Sequence, residues 1–206
     1  MDTLLEGVPV PDRLDDAALD RIFRAARTHR AWEDRPLTSE QVRAIYELAK
    51  YGPTAGNSCP GRFVFLRSQS AKERLKPHLD PLNIEKTLSA PCCVIVAYDS
   101  AFYDFLPLLS PGRDRRSRFV SDPAFSQKTA LRSSTLQGAY LIIAARALGL
   151  DCGPMSGFNN GSLDEDFFQD GRWKSNFLCN IGYRTVDVIL PPRNPRLDFD
   201  EACREL

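Results

Sequence analysis

Asp151–Asn160, DCGPMSGFNN, is the hinge of this sequence, because it follows the longest apolar helix candidate in the chain. That helix is expected to take Asp122 as N-cap and Pro123 as first helical residue, then run through SSTLQGAYLIIAARAL to a left-handed stop at Gly149. Its later half, Ala139–Leu148, is apolar on nearly every side, so it requires protein around it and reads as the spine of a core or of a subunit interface. In the segment that follows, Gly153, Pro154, Ser156 and Gly157 are stiff and small. Backbone N–H groups there can approach a flat ligand. The segment reads equally as a ligand loop or as a tight connection back to a sheet.

Working outward, Asp16–Arg27 places Leu19, Ile22, Phe23 and Ala26 at helical spacing. The helix ends at Arg27, Thr28, His29 and Arg30, a cluster able to bind a phosphate or simply to cap a solvated helix end. Thr38 and Gln41 have capping-box spacing and open a helix that stops at Gly52. GPTAGNSCPGR then has two glycines at the spacing of a nucleotide phosphate loop, but Arg62 and Phe63 stand where Lys and Ser or Thr are needed. It also sits between a helix and a strand in the wrong order, so it reads as an irregular loop. Arg62–Arg67 is a strand candidate, and Ser70 with Glu73 predicts a helix to about Leu79.

Asn83 reads as the cap of a short helix, NIEKTLSA, that presents Lys86. Cys92–Tyr98 is short and continuously apolar, as a strand buried on both faces should be. The arginine run Arg113, Arg115, Arg116 and Arg118 lies in a mixed stretch and is either a solvated loop or part of a lid. Asp164–Gln169 predicts a short helix and Phe177–Tyr183 a strand. A last strand-like stretch precedes PPRNPR at 191–196, where three prolines hold Arg193 and Arg196 in a fixed backbone or in a basic surface turn.

With 27 basic and 27 acidic residues in 206, the chain carries no net charge and no footprint for nucleic acid or an anionic membrane. Six cysteines without a CxxC pair, and only His29 and His78 beside them, argue against structural zinc and for reduced, mostly buried thiols of a cytoplasmic protein. MDTLLEGVPVPDRLDD has neither a basic start nor a long apolar run, so a signal peptide is not expected. GxGxxG, GxSxG and HExxH are absent, which leaves scattered cations, amides and glycines suited to a bound cofactor.

In order, ARTHRAW, YGPTAGNSCPGRFVF, LNIEKTLSAP, FYDFLPLL, ALGLDCGPMSGF, NIGY and PPRNPRL resemble the FMN-dependent nitroreductase family. The likeness is greatest to its branch containing a malonic semialdehyde reductase of uracil degradation. The resemblance implies a single α+β domain over 1–206, with a mostly antiparallel central sheet flanked by helices, in an intertwined homodimer. It implies bound FMN, NADH or NADPH as donor, and a small semialdehyde as acceptor. Alternatives are a broad nitro- or quinone reductase and a flavin-binding protein without turnover.

By the same resemblance, Arg27, Thr28 and His29 meet the FMN phosphate and ribityl chain, with Arg30 able to replace the arginine missing at Ala26. Arg193 and Arg196 clamp the phosphate, and Pro53, Thr54 and Asn57 reach the flavin from the opposite subunit. Asn83 and Lys86 serve the pyrimidine edge of the ring, while Ser156 and Gly157 supply backbone donors near N5 and O4, with Pro154 and Met155 beside them in the cofactor site. Many relatives carry an acidic residue where Ser156 stands. Arg116 is the implied contact for a substrate carboxylate. No catalytic acid or base and no metal ligand is implied.

Overall fold

The computed structural model describes residues 13–206 of the chain, so most of the N-terminal stretch read above for a signal lies outside the described residues. The first helix is α1, Asp16–Leu19, which widens into a π-helical turn at Asp20–Arg24. It stops short of the expected Arg27. The wider turn follows from the Ala25 N–H bonding back to the Asp20 carbonyl, with Arg24 paired to the Asp20 carboxylate at 2.6 Å. Helix α2, Ser39–Ala49, opens on the expected capping box: Thr38 Oγ1 accepts from Gln41 N at 3.2 Å, and Gln41 Oε1 accepts from Thr38 N at 3.0 Å. The loop then leads into strand β1, Gly61–Leu66.

Helix α3, Gln69–Leu75, is capped by Ser68, not Ser70, because the Ser68 hydroxyl accepts from Ala71 N. Helix α4, Pro81–Leu88, starts earlier than expected, with Pro81 in its first turn. Asn83 is thereby moved from the cap into the helix, and its side chain is free for another task. Strand β2, Cys92–Asp99, is buried along its whole length, as its continuous apolar run requires. Short helices α5, Leu106–Leu109, and α6, Arg116–Ser121, cross from β2 to the long helix α7, Pro123–Ala147. The Asp122 carboxylate caps α7 by accepting from Phe125 N, and Gly149 ends it at φ +85°.

The segment read as a ligand loop or a tight connection is in its first half strand β3, Asp151–Met155. Pro154 is tolerated because β3 lies at the sheet edge, where a missing N–H costs no ladder bond. Helix α8, Asn160–Phe167, begins before the expected Asp164, since Asn159 Oδ1 caps it from Ser162 N. Asp164 instead accepts from Ser175 N at 2.8 Å. Strand β4 runs Trp173–Gly182. The strand-like stretch before 191–196 forms no strand of the sheet: Arg184 bridges Trp32, Ile189 is left 95% exposed, and the tail forms the short helix α9, Phe199–Ala202.

Sheet order is β1-β2-β4-β3, with every neighbouring pair antiparallel. One face packs on α2 and α7 through Leu37, Ile45, Val94, Val96, Leu141 and Ile181. The other carries Leu75, Leu79, Ile95, Leu163 and Leu178. The structure is thus α+β, with an antiparallel sheet between helical layers. Helix α7 buries Leu141, Ala144 and Ala145 but leaves Leu131, Leu136, Tyr140 and Leu148 exposed, so one chain does not cover its apolar surface. No helix among the described residues is long and apolar enough to cross a membrane.

Candidate functional site

The segment after the first helix runs against β3: Thr28 forms a bridge with Cys152, and His29 N–H donates to the Cys152 carbonyl at 3.1 Å. Gly153 permits this approach, since a Cβ there would lie 2.6 Å from the His29 carbonyl oxygen. The proline-rich tail returns to the same place. Arg193 Nη2 donates to the carbonyls of Arg24 and Ala26, and Arg27 Nη2 donates to that of Pro191. Arg27, Thr28, Arg30, Arg193 and Arg196 consequently line one cleft of about 440 Å³ that has no acidic residue in its wall. Carbonyl contacts orient the Arg27, Arg193 and Arg196 guanidinium groups without neutralising them, so the cleft has the chemistry to accept a polyanion such as phosphate.

Arg146 also lines the cleft and was missed by the sequence reading. In the last turn of a helix an arginine reads as complement to the helix dipole, a role that carries no hint of a ligand. His29, expected among the phosphate contacts, does not line this cleft but a neighbouring one that Arg27 and Arg30 also line. Its ring is 5% exposed and lies on a neighbouring cleft, with Nε2 3.6 Å from Asp151 Oδ1 and without a hydrogen-bond partner. Alternation along an extended segment sends adjacent side chains to opposite sides, so Thr28 and His29 face different clefts.

Burial pushes the His29 imidazole below its ordinary value, Asp151 opposes that shift, and Arg184, Arg27 and Arg146 reinforce it. A depressed value favours the neutral ring in the folded state. Its contribution to stability is therefore present above the ordinary histidine pKa and lost as pH falls below it. His29→Gln is expected to flatten the fall in melting temperature between about pH 6.5 and 5, the interval over which an ordinary histidine charges. A variant with an unchanged slope would show that other groups set the acid limit.

A second group gathers at the far end of β3. Asn83 Nδ2 donates to the Gly157 carbonyl at 2.6 Å, and a Cβ on Gly157 would lie 2.6 Å from both Asn83 Nδ2 and Asp80 Oδ2. Lys86 lies on the next turn of α4, and its carbonyl accepts from Trp32 Nε1 and Asn180 Nδ2. Burial, and then the charge of Arg30, lowers the Lys86 pKa. Ser156 is exposed at the strand end, whereas Met155 packs its side chain into the core beside Thr87. From Cys152 to Ser156 the strand advances ~13 Å. The arginine cleft thus lies beside the start of β3, and the Asn83–Gly157 group lies past its other end.

Pro53, Thr54 and Asn57 are not brought to this site. They precede β1, at the opposite edge of the sheet, and are tied to α5 and α7: Asn57 Nδ2 donates to the Leu109 carbonyl, and Ala55 N–H to Ser133 Oγ. Their loop holds left-handed residues at Gly56, Asn57 and Cys59, with Thr54 Oγ1 accepting from Cys59 N. Arg116 is on this side too, exposed and paired with Asp104 at 3.1 Å. Cys92, Cys93, Cys152 and Cys179 are buried, all six cysteines are free, and no cluster able to hold a metal occurs among the described residues.

The antiparallel sheet between helical layers, with a cationic cleft beside its edge strand, describes the class, and comparison with known proteins supplies the family. The model described as the Nitroreductase family matches residues 23–183, and the chain belongs to that family. A Rhodopseudomonas palustris (strain TIE-1) protein is 59% identical over 94% of this chain and 98% of its own length. A Ralstonia nicotianae protein is 52% identical over the same shares. Both carry the name "Putative NADH dehydrogenase/NAD(P)H nitroreductase". Among solved structures, an Exiguobacterium sibiricum protein in complex with FMN has a TM-score of 0.77 at 20% identity, covering 93% of this chain and 97% of that one. A nitroreductase family protein from Streptococcus pneumoniae TIGR4 has a TM-score of 0.77 at 19% identity, covering 92% and 98%.

Proposed function

We propose that the protein is a single-domain, FMN-dependent NAD(P)H oxidoreductase. The observation that carries the reading is the convergence of Arg27, Arg30, Arg193 and Arg196 on one cleft without a carboxylate in its wall. The residues fit the cofactor: guanidinium groups without a carboxylate beside them suit its phosphate, and Asn83 and Lys86 on α4 offer an amide and a cation for the ring. Bound FMN would supply hydride transfer, taking a hydride from reduced nicotinamide and delivering it to an acceptor. Arg193 and Arg196 hold the phosphate charge. Asn83, kept in place by the Gly157 carbonyl, serves the pyrimidine edge, and Lys86 stabilises negative charge on the ring.

The purified protein is expected to be yellow and to release FMN, not FAD, on denaturation. NADH or NADPH in the absence of air should bleach the bound flavin. A colourless protein that takes up no FMN would remove the assignment, and a yellow protein that neither donor bleaches would leave a flavin-binding protein without turnover.

The proposal extends to a homodimer in which Pro53, Thr54 and Asn57 of one subunit complete the site of the other. Its support is the exposed apolar surface of α7 together with the placement of that loop at the sheet edge opposite β3. We propose a small semialdehyde as acceptor, with Arg116 holding its carboxylate. The Arg116–Asp104 pair is exposed, worth about 1 kcal/mol or less, and readily exchanged for a substrate anion. Arg116→Ala is expected to lower kcat/KM for malonic semialdehyde about 10- to 100-fold while sparing a neutral quinone. Equal losses on both acceptors would favour the second reading, broad nitro- or quinone reduction, which the names of the two relatives support.

A further inference from the structure

At the end of the sheet away from the arginine cleft, a pocket of about 320 Å³ opens between β2, β4, α6 and the first turn of α7. From Lys174 to Asn180 strand β4 advances ~20 Å, so within the chain this pocket is remote from the β3 site. Tyr98 and Lys174 face each other across the β2–β4 register and line it together. Ser126, 5% exposed as a residue, also lines it, and its buried hydroxyl has no hydrogen-bond partner. Gln127 and Tyr103 add further polar groups, and Phe119 closes the wall with an aromatic face.

None of the lining residues is acidic, and Lys174 makes no ion pair among the described residues. Nearby carboxylates are engaged elsewhere: Asp122 caps α7, Asp99 is held by Arg62 and Arg172, and Asp104 pairs with Arg116. A buried hydroxyl without a partner is costly unless a ligand or water meets it, and the half-buried Lys174 brings an unpaired ammonium to the same pocket. The helix end itself is not the binding element, because Asp122 already takes the Phe125 N–H.

We propose that this pocket binds a small aromatic carboxylate. Its carboxylate meets Lys174 and the Ser126 hydroxyl, and its ring lies among Phe119, Tyr98 and Tyr103. One cation matches a monoanion, whereas a phosphate dianion calls for a pair of guanidinium groups such as the β3 cleft provides. The three aromatic side chains favour a flat ring over an aliphatic acid. This site is additional to the flavin site and does not depend on the function proposed above.

The probes are benzoate and its neutral counterpart benzamide, titrated calorimetrically into FMN-loaded protein while the visible flavin spectrum is followed. Benzoate is expected to bind saturably, more tightly than benzamide, without changing the flavin spectrum. Lys174→Met should weaken benzoate about 10- to 100-fold, as loss of a charge-assisted bond does, and Ser126→Ala roughly 2- to 10-fold. Lys174→Arg, which keeps the charge, should bind benzoate with little loss and serves as the control for folding. Absence of saturable binding would overturn the proposal. So would wild-type affinity in Lys174→Met, or binding that shifts the flavin spectrum and survives that substitution, since the ring would then lie on the flavin.

Discussion

Replacing Arg193 and Arg196 together by alanine is expected to weaken FMN binding by about 100-fold. Each guanidinium–phosphate contact is a charge-assisted bond worth ~1.5 to 3 kcal/mol, and two taken at the lower end give ~3 kcal/mol. The lower end applies because both side chains are exposed and screened by solvent. Arg193 has a second task, since its guanidinium ties the tail to the carbonyls of Arg24 and Ala26. Arg193→Ala alone should therefore cost more than Arg196→Ala alone. Lysine at both positions keeps the charge but loses the fork geometry, and should recover only part of the affinity. Fluorescence titration of the apoprotein with FMN, repeated at two salt concentrations, measures each of these differences. Unchanged FMN affinity in the double alanine variant would falsify the cleft as the phosphate site.

Mixing two inactive variants is expected to restore activity. One parent carries the Arg193→Ala and Arg196→Ala pair, and the other carries Asn57→Ala with Thr54→Ala. If each site takes its arginines from one subunit and its 53–57 loop from the other, a hybrid dimer contains one intact and one doubly damaged site. Random exchange makes half of the dimers hybrids with one of two sites intact, so activity should rise from near zero to about a quarter of the unsubstituted enzyme. A site built wholly within one chain also regains activity only if one parent was active to begin with. No recovery after unfolding and refolding the mixture, with dimers confirmed by sedimentation, would therefore sink the shared site. Each parent refolded alone is the control.

Elements with strong local signals were legible in the sequence. Thr38 and Gln41 built their capping box, Asp122 and Pro123 started α7, and the apolar run at Cys92–Tyr98 became the strand buried along its length. In each case the signal lies within a few residues, or in a composition that only one environment tolerates. Boundaries slipped where two candidates compete nearby. Ser68 displaced Ser70 as a cap, and Pro81 moved the start of α4 so that Asn83 fell inside the helix, which put its amide on the Gly157 carbonyl.

By itself the sequence determined the α+β class, the neutral charge that disfavours nucleic acid, and the identity of most residues with a candidate role. Tertiary structure decided which of them meet. It turned DCGPM into an edge strand, drew the 191–196 tail across the chain onto Arg27 and Arg30, and added Arg146, which had no ligand signal. It also turned His29 out of the cleft by the alternation of an extended segment, and placed Pro53, Thr54 and Asn57 at the opposite sheet edge. These outcomes depend on contacts between residues far apart in the chain, such as Arg193 with Ala26, Cys152 with His29 and Asn57 with Leu109. Such contacts are fixed by how β3 and the tail pack against the segment after the first helix, and local propensity carries no record of that packing.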